Sequence, residues 1–141
     1  MTKILVVDDS PPLLDDLKRV AKKASGGDVI TARSAQEAMD LIREHDFDLV
    51  ITDLRMETKE AGAEKVLKVA KEKDWYTQVI LVSSSEMVDK VGSKAMVEEG
   101  AYDYVDRNAP GNHLHRLRDM IIPALERRKR KLRAKNDKDS D

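Results

Sequence analysis

Within the stretch Leu49 to Met56, LVITDLRM, the strand-like run Leu49 to Thr52 ends on Asp53. A carboxylate at the end of a buried apolar strand lies where solvent, a metal ion or a substrate can reach it. Ile4 to Val7 ends the same way, on Asp8 and Asp9; Val79 to Val82 ends on Ser83 and Ser84; and Tyr102 to Val105 is followed by Arg107. If these strands are parallel neighbours, their carboxyl ends converge. Three acids, one or two hydroxyls and one cation then share a crevice. Carboxylates packed this closely repel one another unless a cation neutralises them. Mg²⁺ takes hard oxygen ligands and keeps several waters, so two or three carboxylates and one carbonyl suffice to hold it. Taken alone, Asp8 and Asp9 read equally well as solvent-facing acids before a helix, and Ser83 as a strand-end hydroxyl bonded to backbone. Asp53 beside them tips the balance to a metal site.

The elements that would carry these residues follow from periodicity and punctuation. Ser10 and Pro11 signal a helix start, a capping hydroxyl followed by a residue whose missing N–H costs nothing in a first turn. Leu13, Leu14, Leu17, Val20, Ala21 and Ala24 form its apolar stripe, and Gly26-Gly27 ends it. Val29 to Ala32 is a second strand. Ser34 to Glu37 fits a capping box for a helix reaching about His45. The loop from Leu54 to Gly62 is polar. Ala63, Val66, Leu67 and Ala70 predict the next helix, and a further one spans about Met87 to Glu99, stopped by Gly100. The last helix follows Pro110-Gly111, turns Leu114, Leu117, Ile121 and Leu125 inward, and contains Pro123, which should bend it. Strands and helices alternate strictly, five of each. That order predicts an α/β fold, a parallel sheet with helices on both faces and right-handed crossovers, with the ligand site outside the carboxyl ends of the strands.

The 141 residues suit one domain, and 38% charged residues indicate a well-solvated surface. Without cysteine, disulfides and thiolate metal sites are excluded. The amino-terminal apolar run meets Asp8 too early for a signal peptide or a membrane span, so a soluble cytoplasmic protein is expected. Residues 126–141 carry eight Lys/Arg against four Asp/Glu, whereas the rest of the chain is acidic. This tail reads as a helical extension or a disordered mixed-charge stretch. It has no interleaved aromatics and no helix-turn-helix pattern, which disfavours nucleic acid. With Leu132 as its only large apolar residue, it does not support a coiled coil either. His113 and His115, two apart on a helix, do not share a face and read as surface residues. Trp75 and Tyr76 read as loop packing.

Taken together, KILVVDDS at 3–10, LVITDLRM at 49–56, VILVSS at 79–84 and GAYDYVDR at 100–107 resemble the receiver domain of bacterial response regulators. The resemblance covers roughly residues 2–125. It implies a flavodoxin-like doubly wound (βα)5 fold with sheet order 2-1-3-4-5, a receiver domain over 1–125 and an appended tail over 126–141. It also implies that Asp53 accepts a phosphoryl group and that Mg²⁺ is held by Asp8, Asp9, Asp53 and the backbone carbonyl of Arg55. Ser83 would be the switch hydroxyl, Tyr104 the switch aromatic, and Arg107 would stand where the family has Lys. A sensor histidine kinase or phosphotransfer protein would be the donor. A downstream target would bind the face made by the helix over about 87–99, the fifth strand and the last helix, and a homodimer is a further option. Such a domain is a phosphoacceptor rather than an enzyme. With no effector domain following, its output is expected to be protein contact, or to pass through a domain outside this chain.

The chain departs from the family pattern in the loops beside the site. Arg107 replaces a compact ammonium with a planar fork, Asn108 stands where a proline is usual, Glu57 follows Met56 where proline is common, and Gly62 sits about one residue late. These features favour an alternative, a phosphorylation-independent pseudo-receiver acting as a constitutive interaction module. A haloacid-dehalogenase-type phosphatase would need an acid two residues after the nucleophile, where this chain has Arg55. No glycine-rich turn follows the first strand, so dinucleotide binding is excluded.

Overall fold

The computed structural model describes residues 1–53, 62–83 and 100–139. Five strands, β1 (Lys3–Val7), β2 (Asp28–Ala32), β3 (Leu49–Asp53), β4 (Gln78–Ser83) and β5 (Asp103–Asp106), form one parallel sheet in the order β2-β1-β3-β4-β5. Helices α1 (Pro11–Ser25) and α4 (His113–Asp139) cover one face, and α2 (Ala35–Glu44) and α3 (Gly62–Lys73) the other. The expected doubly wound sheet and its order are therefore observed. The helix expected over about Met87 to Glu99 lies outside the described residues.

Alternation along the strands decides which face each residue serves. In β1, Leu5 and Val7 join the core under α2 and α3, with Val50, Val66, Leu67 and Val79. Ile4 and Val6 join the core under α1 and α4, with Ile51, Leu117 and Ile121. Both cores are mainly aliphatic, with Phe47 in the one under α2 and α3, and closed: Ile4, Leu5, Ile51 and Leu117 are all 0% exposed. A strand buried on both faces has no polar positions until it reaches its end, which is why the polar groups gather there.

Local signals act largely as expected, with two differences. Pro11 opens α1, and Gly26 ends it in the left-handed region (φ 66°), a conformation that favours glycine. Ser10 makes no side-chain cap; its N–H instead donates to Asp8 Oδ1 at 2.9 Å. Ser34 Oγ does accept the Glu37 N–H at 3.0 Å, but Glu37 Oε2 accepts from Arg33 N–H rather than closing the box on Ser34. Asn112 starts α4 by accepting the Leu114 N–H at 2.9 Å. The basic tail continues α4 as helix to Asp139.

Candidate functional site at the carboxyl edge of the sheet

Strand parity assembles the site. Ile4 and Val6 face α1 and α4, and the next residue of that parity is Asp8; Leu49 and Ile51 lead in the same way to Asp53, and Val105 to Arg107. The ladder pairs Val7 with Thr52 and Asp53 with Val82, so Asp8 and Asp53 emerge beside each other. Asp8 is 1% exposed and Asp53 3%, while Asp9 reaches solvent. One carboxylate oxygen from each lies within 4.8 Å of the other two.

The electrostatics of this cluster are uneven. Asp8 Oδ1 accepts from Ser10, but Oδ2 is buried without a hydrogen-bond partner. Burial above all, and then the Asp53 carboxylate, push the Asp8 carboxyl up from 3.8 to about 6, against the lowering effect of the Ser10 N–H. Arg107 Nη2 meets Asp53 Oδ1 at 2.7 Å, the two side chains 22% and 4% exposed. The Arg107 Nε is also buried and without a hydrogen-bond partner. A bare carboxylate oxygen among three hard-oxygen ligands fits a divalent cation such as Mg²⁺. Arg55 lies outside the described residues, as do Ser84 and Glu57.

The loop that carries Arg107 is braced by a residue the sequence did not single out. Arg116 Nη2 donates to Asp106 O at 2.6 Å and Nη1 to Pro110 O at 2.8 Å. Asp106 Oδ1 also accepts the Asn108 N–H at 2.8 Å, so an Asx turn occupies the place where the family pattern expects proline. No motif marks Arg116, because its partners are backbone carbonyls six and ten residues upstream.

Ser83 is the last residue of β4 and pairs with Asp106, which brings its backbone to the same edge. Tyr104 pairs with Leu81 and packs half-buried on the α2–α3 face, across the sheet from Arg107. His113 is half-buried rather than simply superficial, and with Asp8 and Arg107 it lines a cavity of about 10 Å³ between α1 and α4. Burial, and then Arg107, lower its pKa from 6.5. His115 is exposed.

The family model for the response regulator receiver domain matches residues 4–118. An uncharacterized response regulatory protein of Staphylococcus epidermidis is 29% identical over 127 residues, which is 89% of this chain and 48% of the relative. A second, from another strain of that species, is 30% identical with the same coverage. The chain thus spans about half the length of these curated relatives. Among solved structures, a response regulator receiver domain protein of Clostridium thermocellum has a TM-score of 0.76 at 27% identity, covering 92% of this chain and 98% of that one. A CheY-like receiver domain protein of Methanospirillum hungatei has a TM-score of 0.77 at 24% identity, covering 93% and 98%, and bears on the fold alone.

Proposed function

The chain belongs to the response regulator receiver domain family, and from that premise we propose that Asp53 is the phosphoacceptor of a two-component relay. On this reading Mg²⁺ is held by Asp8, Asp9, Asp53 and the carbonyl of Arg55. The observation that carries it is the meeting of three carboxylates within 4.8 Å, with Arg107 at 2.7 Å from Asp53.

A carboxylate oxygen of Asp53 bonds to the phosphorus of a phosphohistidine on a sensor kinase or phosphotransfer protein. The P–N bond breaks, its electron pair leaves on the imidazole nitrogen, that nitrogen takes up a proton, and Asp53 becomes an acyl phosphate. Bound Mg²⁺ neutralises the acids and offsets charge on the transferring group. Arg107 holds Asp53 beforehand. Its planar fork, with Nε unused, suits the oxygens of the phosphoryl group once that is in place. The product adds about 1.5–2 negative charges, which recruit Arg107 and the Ser83 hydroxyl. Tyr104 relays the change to a target-binding face formed by β5, α4 and the segment over about 87–99, which a homodimer could also use. The receiver unit is residues 1–125, and 126–141 is an appended segment.

The test is intact-protein mass spectrometry after incubation with acetyl phosphate and Mg²⁺, beside an Asp53→Asn control. A phosphoryl adduct on the parent alone is the expected result. With Mg²⁺ binding demonstrated separately, an absent adduct would replace this reading with a receiver-like module that binds partners constitutively.

A further inference from the structure

At the amino edge of the sheet, away from Asp53, α4 runs past the end of α3 and the start of β4. Lys71 is 9% exposed there, with Nζ donating to the carbonyls of Trp75 at 2.9 Å and Thr77 at 2.7 Å and lying 5.2 Å from the Trp75 ring centre. An ammonium has three donors, so one remains, and neutral carbonyls do not cancel its charge. Asp74 acts on Lys71 electrostatically, but its carboxylate is engaged by Arg128 at 3.0 Å. From α4, Arg127 and Lys131 reach the same place, and among the described residues neither has a carboxylate within ion-pair distance. Lys71, Trp75, Gln78, Gly100, Arg127 and Lys131 line a cavity of about 100 Å³. Among the described residues around it, Lys71, Arg127, Arg128 and Lys131 outnumber Asp48 and Asp74, which makes the described wall of this concave surface net positive.

We propose that this cavity binds a small phosphate-bearing anion. Donors converge on it from α3, the start of β4 and α4, and a phosphate group has enough acceptor oxygens to satisfy several directions at once. Its size admits such a group but no extended polymer. The unrelieved repulsion also shows in Lys71, which burial first, and Lys131 and Arg127 after it, bring down from 10.5 to about 8. The proposal does not depend on phosphorylation of Asp53.

Trp75 is the chain's one tryptophan and lies in the cavity wall, so it reports from the site itself. Sodium pyrophosphate is titrated into the full chain without Mg²⁺ at constant ionic strength, following Trp75 emission and, in parallel, heat by calorimetry. Saturable binding is expected, weakened about ten-fold or more in an Arg127→Gln/Lys131→Gln variant, since each lost bond is charge-assisted. Both side chains are exposed, so the variant should fold, which circular dichroism checks, and Lys131→Gln alone should show a smaller loss. Absent or non-saturating signals in both measurements overturn the proposal. So does saturation that the double variant leaves intact.

Discussion

Burial holds the Asp8 carboxyl at about 6 in the folded chain, against 3.8 as its ordinary value. Between those values the folded state keeps a proton that the unfolded state has released. The contribution of this group to stability is therefore present below the unfolded value and lost as pH rises through about 6. Asp8→Asn removes that loss. Without Mg²⁺, the variant should melt above the parent at about pH 7.5, and the difference should close towards about pH 4, as calorimetry at several pH values would record. Arg107 supplies the opposite case. Taking away its guanidinium leaves Asp53 buried and short of its cation, so Arg107→Gln should cost roughly 2–3 kcal/mol in urea unfolding. In an Asp53→Asn background the same change should cost much less, and equal costs in both backgrounds would show that the pair is not coupled.

At the scale of elements, two arginines on α4 hold the two edges of the sheet. Arg116 ties the first turn of the helix to the β5–α4 loop and so sets where Arg107 stands. Arg116→Ala should lower the rate of phosphorylation by acetyl phosphate roughly ten-fold by displacing that group, with a smaller effect on stability. At the other edge Arg128, 13% exposed, meets Asp48 Oδ1 at 2.9 Å and Asp74 Oδ2 at 3.0 Å. Asp48 Oδ2 also accepts the Lys3 N–H, so one carboxylate joins β1 to the helix. Arg128→Ala strands two partly buried acids, and about 2 kcal/mol of destabilisation by chemical unfolding is expected. Lys73 performs a related task between neighbouring helices, donating to the carbonyls of Ile42, Arg43 and His45 at the end of α2.

For the whole molecule, the sheet lies between two mainly aliphatic cores, and the candidate acids lie at one end of its strands. Asp8, Asp9 and Asp53 meet at the carboxyl end, and Lys71, Arg127 and Lys131 gather beside α4 at the amino end. A cation that binds only the folded form must raise the stability of the entire fold by mass action. The gain is about 2.7 kcal/mol at a hundred times the dissociation constant, worth several degrees of melting temperature. A thermal melt with added Mg²⁺ should show that rise at about pH 7.5, reduced strongly in Asp8→Asn, while an equal concentration of a monovalent salt should leave it unchanged. No helix among the described residues is long and apolar enough to cross a membrane.

The sequence by itself determined the strands and helices of the described residues, both cores and the candidate acids. Those features are local: apolar runs, caps and strand parity each act over a few residues, and parity alone turns Asp8, Asp53 and Arg107 to one face. Tertiary structure decided what those residues meet. The bare oxygen of Asp8 depends on how α1 closes over β1, and the contact between Arg107 and Asp53 joins residues far apart in the chain. The tail shows the same division. Its charges were plain in the sequence, but its continuation as helix, its clamp through Arg128 and the basic cavity it helps to enclose all require partners from α3 and the strand ends. Charge pattern indicates that a segment can be solvated. Only packing against the rest of the chain specifies which charges find a counterpart.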